Sequence, residues 1–277
     1  MKTSIYFYIL LSSLFISCNS NDSENIQKEE TLMNISYGSS NQQVFDLYLP
    51  ANRTSATKTL ILVHGGGWIE GDKADMNGAV GIIKQNLPDY AIANINYRLA
   101  TAANPAFPMQ IDDVASVINK LKNGNYNISD DFGFIGVSAG GHLSMLYSYA
   151  HDSGNNIKMV CSIVGPTNFT DSNYVNNPQF VTTFEGITGV SYQNNPEYYE
   201  EISPYHRATS SSPATLLFYG NQDPLIPTSQ GTDLHLKLDN LSVYNEFTLY
   251  NGGHGDWSAT DQIDMYSKLL AFVNSRF

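Results

Sequence analysis

In Phe132-Gly133-Phe134-Ile135-Gly136-Val137-Ser138-Ala139-Gly140-Gly141-His142 an apolar run stops at a serine set between glycines. Residues 132–137 have the length and apolar character of a strand covered on both faces. Gly136-Val137-Ser138-Ala139-Gly140 then matches G-x-S-x-G, a sharp strand-to-helix turn. In such a turn the serine sits in strained backbone, and the glycines are needed because a side chain there would clash. A helix starting near His142 would set its positive end beneath the hydroxyl. By itself the pattern is weak: with 21 glycines in 277 residues, shuffled sequences produce it roughly once in six. Its weight comes from what lies on either side.

Outward from this turn, short apolar runs at 60–63, 90–95, 159–164, 215–219 and 246–250 have the same strand-like character, and 31–37 with 44–49 suggests an opening hairpin. Helical spacing of three and four falls between them. Residues 108–122 place Ile111, Val114, Ile118 and Leu121 on one face, with Pro108 at the start and Asn-Gly after the end. Residues 142–150, 230–238 and 260–273 have similar patterns. Strand and helix therefore alternate from residue 60 onward, which predicts an α/β domain: a mostly parallel central sheet covered by helices on both faces. Residues 170–205 break the rhythm. They are polar and rich in Asn and aromatics, and are expected to form a small cap inserted over the strand ends.

His64-Gly65-Gly66-Gly67-Trp68 follows the run 60–63 directly, and chance places a His before three Gly only about three times in a thousand. Consecutive glycines let backbone N–H groups converge, as stabilising an oxyanion requires. A phosphate-cradling loop is the bland alternative, but the Lys-Ser/Thr of a Walker motif and the spacing of a dinucleotide fingerprint are both missing. A serine nucleophile needs a base, and the base an orienting acid. Asp223 follows the run 215–219 and His254 the run 246–250, giving the chain order Ser, Asp, His. Asp256 and Asp261 are the alternative acids. His64 is read as an anchor of its glycine loop, His142 as a packing residue, and His151, His206 and His235 as surface groups. Asp72 is expected to tie down a loop, and Asp112 with Asp113 to favour a first helical turn. Trp68 either lines the substrate cleft or covers the loop. Tyr174, Phe180, Phe184, Tyr198, Tyr199 and Tyr205 either stack on a substrate ring or pack the cap onto its domain.

These motifs together resemble the α/β-hydrolase esterases of the hormone-sensitive-lipase-like and bacterial feruloyl/acetyl-esterase-like branch. The likeness runs over residues 44–277 and takes in His64–Trp68, Gly71-Asp72-Lys73, Asn96-Tyr97-Arg98-Leu99, Phe107-Pro108, Asp112-Asp113-Val114, Gly136–His142, Gly165-Pro166-Thr167, Ser203-Pro204, Asp223–Pro227 and Gly253-His254-Gly255. Val137 stands where many relatives carry an acidic or small polar residue, and Ala100-Thr101 where many continue Ala-Pro. The resemblance implies Ser138 as nucleophile, His254 as general base and then acid, Asp223 as its orienter, and the N–H groups of Gly66, Gly67 and Ala139 as the oxyanion hole. It implies ester hydrolysis through an acyl-enzyme, with no metal or organic cofactor, on substrates such as short acyl or aryl esters of carbohydrate. An amide hydrolase of the same fold, and a binding protein that has lost the chemistry, are the rival readings.

Composition narrows the partners. Twenty-six acidic against fourteen basic side chains give a formal charge of −12 without a Lys/Arg run, which argues against nucleic acid as a partner. At the N-terminus Lys2 precedes an apolar stretch from 5 to 16, short of the roughly 20 residues that span a bilayer. Phe15-Ile16-Ser17-Cys18 then looks like a lipoprotein cleavage box. The expected organisation is a signal peptide over 1–17, a lipid anchor on Cys18, a flexible acidic tether over 18–30 and a catalytic domain over 31–277. The mature protein would be extracytoplasmic, with membrane contact made through the Cys18 anchor. Cys161, inside an apolar run, is expected to be an inert buried thiol.

Overall fold

The computed structural model describes residues 27–277. The expected signal peptide, Cys18 and residues 18–26 of the expected tether lie outside the described residues. Eight strands form one sheet: β1 (Glu30–Ser36), β2 (Val44–Leu49), β3 (Thr59–Val63), β4 (Ala91–Ile95), β5 (Phe132–Val137), β6 (Ile157–Ile163), β7 (Ala214–Gly220) and β8 (Asn245–Tyr250). Their order is β1-β2-β4-β3-β5-β6-β7-β8. β1 and β2 pair antiparallel, as do β2 and β4, and every pairing from β4 to β8 is parallel.

The helices are α1 (Asn77–Asn86), α2 (Met109–Asn123), α3 (Ala139–Leu146), the four short α4 (Ser172–Val175), α5 (Pro178–Thr188), α6 (Pro196–Glu201) and α7 (Pro204–Arg207), then α8 (Thr228–Asn240) and α9 (Ala259–Arg276). Period-two alternation sends successive strand residues to opposite faces. Ile61 and Val63 of β3 therefore share a core with Val114 and Ile118 of α2, Leu143 of α3 and Leu234 of α8. Leu60 and Leu62 pack on the other face with Val80 and Ile83 of α1 and Leu269 and Phe272 of α9. Both faces are thus covered, and β3 and β4 are buried along their whole length. At the sheet edge β8 is half-exposed, so its apolar run is not the sign of a two-sided burial.

Chain order reverses at the middle of the sheet. From β3 the chain steps outward to β4; from β5, on the other side, it proceeds to β6, β7 and β8. Loops leaving the carboxyl ends of β3 and β5 consequently diverge and leave a crevice between them, the usual place for a ligand in such sheets. Both glycine motifs open into this crevice.

Three expectations change. The expected tether runs through residue 30, but Glu30 begins β1, and residues 27–29 are held as well. Gln27 and Lys28 carbonyls accept hydrogen bonds from Asn52 and Arg53, while Glu29 pairs with Lys84. The helix expected near His142 begins at Ala139, immediately after the serine. Asp113 is no capping residue: fully buried, it receives the Arg98 guanidinium and backbone N–H together with the Gln43 amide. That leaves the carboxylate charge paired and hydrogen-bonded, the condition for burying it.

The segment 170–205 holds α4, α5, α6 and the start of α7 in the connection from β6 to β7. Its polar residues are caps. The Asp171, Asn177 and Asn195 side chains accept from the first turns of α4, α5 and α6, and Pro178, Pro196 and Pro204 open three of the helices.

Candidate active site

Ser138 follows β5 with φ 52, a left-handed conformation that a serine adopts only when its surroundings enforce it. The surroundings are close backbone. A Cβ on Gly136 would lie 2.3 Å from the Gly140 carbonyl, and one on Gly140 would lie 2.2 Å from the Val63 carbonyl. The two glycines of the motif are therefore required by the approach of α3 to β5 and β3. Ser138 N–H donates to Ile163 of β6, which fixes the turn from the other side.

His254 and Asp223 arrive from the ends of β8 and β7, which are paired neighbours. Ser138 Oγ stands 2.9 Å from His254 Nε2, and His254 Nδ1 stands 2.7 Å from Asp223 Oδ2. Asp223 Oδ1 accepts the N–H groups of Leu225 and Ile226, so the carboxylate is aimed before the histidine meets it. Its side chain is 1% exposed against 26% for His254. A carboxylate only accepts, so Nδ1 carries the imidazole proton and Nε2 is left to accept from the serine hydroxyl. That is the protonation pattern of a hydroxyl ready to be deprotonated on attack. Asp256 and Asp261 are engaged elsewhere, by Gly253 N–H and as part of the Ser258 cap of α9.

The glycine loop leaves β3 with three successive left-handed residues, Gly66 (φ 107), Gly67 (φ 55) and Trp68 (φ 67). At Gly66 a Cβ would lie 2.0 Å from the Glu70 carbonyl. Among the described residues, none accepts a hydrogen bond from the N–H groups of Gly66, Gly67 or Ala139. Three donors are thus left free near Ser138, two from the loop and one from the first turn of α3, whose dipole favours negative charge. His64 holds the loop: it stacks on Tyr97 at 4.3 Å and its Nδ1–H donates to the Gly65 carbonyl. Burial lowers the pKa of His64 below the ordinary imidazole value, opposed in part by that hydrogen bond. Asp72 caps the 3₁₀ turn Lys73–Met76 behind the loop and also receives the Asn96 amide.

A cavity of about 600 Å³ opens above Ser138 and His254. One wall is the cap, through Tyr174, Phe180, Phe184 and Ile187; another is Leu225 and Ile226; a third combines Met76 with Glu70 and Asp75. Trp68 both lines the cavity and is 6% exposed, packed edge-on against Phe107, Phe169 and Phe184. Of the six cap aromatics, Tyr174, Phe180 and Phe184 reach the cavity. Tyr199 is buried, with its hydroxyl on the Val190 carbonyl, and Lys237 sits 4.5 Å over the Tyr205 ring. Cys161 is buried, and burial pushes its thiol pKa up, away from thiolate chemistry.

Ile69, Glu70 and Asp75 are cavity residues that the sequence did not single out, while Pro166 and Leu225 enter the cavity from quoted motifs without having been assigned a role there. Ile69 is an exposed apolar side chain directly after Trp68, and that adjacency is the signal that could have marked it. Among the described residues no group of three or more His, Cys, Asp or Glu is gathered as a metal site needs, and no helix is long and apolar enough to cross a membrane.

The chain is similar to known esterases over most of its length. The BD-FAE family matches residues 45–238, a span that includes Ser138 and Asp223 and stops short of His254. Esterase LipC of Mycobacterium tuberculosis is 27% identical over 237 residues, 79% of this chain; the chain spans 58% of the length of that relative. Among solved structures, a truncated carbohydrate esterase from gut microbiota superposes with a TM-score of 0.71 at 23% identity, covering 88% of this chain and 98% of that one. An arylesterase superposes with a TM-score of 0.72 at 18% identity, covering 90% and 85%. At these identities the structural likeness establishes the α/β-hydrolase fold.

Proposed function

The chain belongs to the BD-FAE family, and from that premise we propose that it is a serine carboxylesterase acting on short acyl or aryl esters of carbohydrate. The observation that carries this is the unbroken hydrogen-bond chain from Ser138 Oγ through His254 to Asp223, at 2.9 and 2.7 Å, beneath a cavity. Ser138 Oγ attacks the ester carbonyl while its proton passes to His254 Nε2. The carbonyl oxygen, now negative, is met by the N–H groups of Gly66, Gly67 and Ala139. Asp223 stabilises the imidazolium and keeps its orientation. Collapse breaks the bond to the alcohol, which leaves with the proton from His254. Water then enters, gives a proton to His254 and attacks the acyl-enzyme, and the carboxylic acid departs as Ser138 regains its proton.

The carbohydrate part of the substrate is supported by the likeness to the carbohydrate esterase from gut microbiota and by an aromatic cap wall on which a ring can stack. Membrane anchorage through Cys18, on an extracytoplasmic protein, is supported by the sequence alone, and a Cys18→Ala variant that still partitions with membranes would refute it. Turnover of p-nitrophenyl acetate, of acetylated and feruloylated sugars, and of N-formyl and peptidyl amides tests the reaction class. Ester turnover that Ser138→Ala abolishes is expected. Preference for amides, or turnover indifferent to Ser138→Ala, would overturn the assignment.

A further inference from the structure

His142 lies one turn beyond Ser138 on α3, and its backbone N–H donates to the Ser138 carbonyl at 3.1 Å. Its ring is fully buried between the rings of Trp68, Phe107 and Phe169, with centroids at 5.4, 5.3 and 4.9 Å. Such a ring could be mere filling, but both nitrogens have partners. The Trp68 indole N–H donates to Nδ1 at 3.3 Å, and Nε2 lies 2.7 Å from the Ile202 carbonyl at the end of cap helix α6. An indole N–H can only donate and a carbonyl can only accept. The imidazole is therefore neutral with its proton on Nε2, and a second proton on Nδ1 would face the indole N–H. Burial favours the same state and pushes the pKa down to about 4. Among the described residues no charged side chain is hydrogen-bonded or paired with the ring.

Trp68 is the residue after Gly67 and is itself left-handed, at φ 67. A bulky side chain holds that conformation only where its surroundings fix it. Its carbonyl is held by Ala100 N–H and the Gln110 amide, at 2.9 and 2.8 Å, and its indole by His142. Three elements thus meet at one imidazole: the helix that carries the serine, the loop that carries two of the free N–H donors, and the cap. We propose that His142 is a positioning residue that ties the cap to the glycine loop through Trp68 and holds the Gly66 and Gly67 N–H groups on the developing oxyanion. This rests on the esterase reading given above.

Single variants separate the two hydrogen bonds. His142→Asn sets an acceptor near the Nδ1 position and keeps the Trp68 bond while losing the cap. His142→Gln sets a donor near the Nε2 position and keeps the cap while losing Trp68. Trp68→Phe removes the indole donor and retains a ring. Kinetics on p-nitrophenyl acetate, together with the affinity of a trifluoromethyl ketone that forms a tetrahedral adduct, give the readout. His142→Gln and Trp68→Phe are each expected to lower kcat about tenfold with KM within about twofold, and to weaken the ketone by the same factor. The double variant is expected to lose no more than either single one, and His142→Asn to keep kcat within about threefold. Wild-type kcat and ketone affinity in both His142→Gln and Trp68→Phe, with only a lowered Tm, would overturn the proposal, as would losses that multiply in the double variant. A wild-type protein inert towards every ester would overturn the esterase reading itself, and this inference with it.

Discussion

Asp223 uses both carboxylate oxygens on fixed partners, one on two backbone N–H groups and one on His254 Nδ1. Replacing it with Asn offers the imidazole an N–H where it needs an acceptor. Asp223→Asn is expected to lower kcat about 10³- to 10⁴-fold with little change in KM, measured on p-nitrophenyl acetate. Gly140 leaves no such room for adjustment, since an added Cβ would meet the Val63 and His64 carbonyls at 2.2 and 2.4 Å. The glycines around Ser138 are legible in the sequence because no other residue type fits such a turn. The role of His142 is not: its partner Trp68 is 74 residues away, and no periodicity links a buried imidazole to an indole. Its neutral state has a consequence for stability. Folding lowers its pKa from 6.5 to about 4, so between these values the unfolded chain takes up a proton that the folded one refuses. Its contribution is complete above about pH 6.5, declines as pH falls, and is lost below about pH 4, for a total of about 3 kcal/mol. Urea titrations across that range should show a shallower decline in His142→Asn than in the wild type.

At the scale of elements, the glycine loop is held by what stands behind it. The 3₁₀ turn Lys73–Met76 is capped by Asp72, and Lys73 Nζ reaches Asp46 of β2 at 2.6 Å, with side-chain exposures of 11% and 3%. Removing one member of a buried pair leaves the other charge unpaired. Lys73→Met is therefore expected to reduce unfolding free energy by about 3 kcal/mol in urea, with a smaller effect on KM than on stability. Strands of this protein are readable because β3, β4, β5 and β6 are buried runs bounded by turn residues. The cap helices are not. Each has 4 to 11 residues, too few for an apolar period to emerge, and their Asn and Asp caps read as loop. α1 escapes as well, since Gly78 and Gly81 interrupt a pattern carried by Val80 and Ile83. Asp113 misleads because a carboxylate in a first turn has a ready explanation on the surface, and its partners Arg98 and Gln43 come from remote segments.

Over the whole molecule the sheet order concentrates strain and free donors in one place. Three non-glycine residues with positive φ, Trp68, Ser138 and Val164, follow β3, β5 and β6, neighbouring strands whose carboxyl ends border the crevice. Charge is uneven there too. The chain carries −12 overall, and the residues lining the cavity include the acidic Glu70 and Asp75 but no Lys or Arg. Esters bearing a free carboxylate should therefore be poorer substrates than neutral ones of equal size, by about three- to tenfold in kcat/KM at low salt. The gap should narrow as the Debye length falls from about 30 Å at 0.01 M salt to about 3 Å at 1 M. Glu70→Gln with Asp75→Asn should close it. The nucleophile itself is open to the most direct measurement: reaction with a p-nitrophenyl alkylphosphonate, followed by intact mass and peptide mapping. One phosphonyl group per chain, on the peptide containing Ser138, with release of one p-nitrophenol and matching loss of ester turnover, is expected. A label on another residue, or full inhibition without a label on Ser138, would contradict a Ser138 acyl-enzyme.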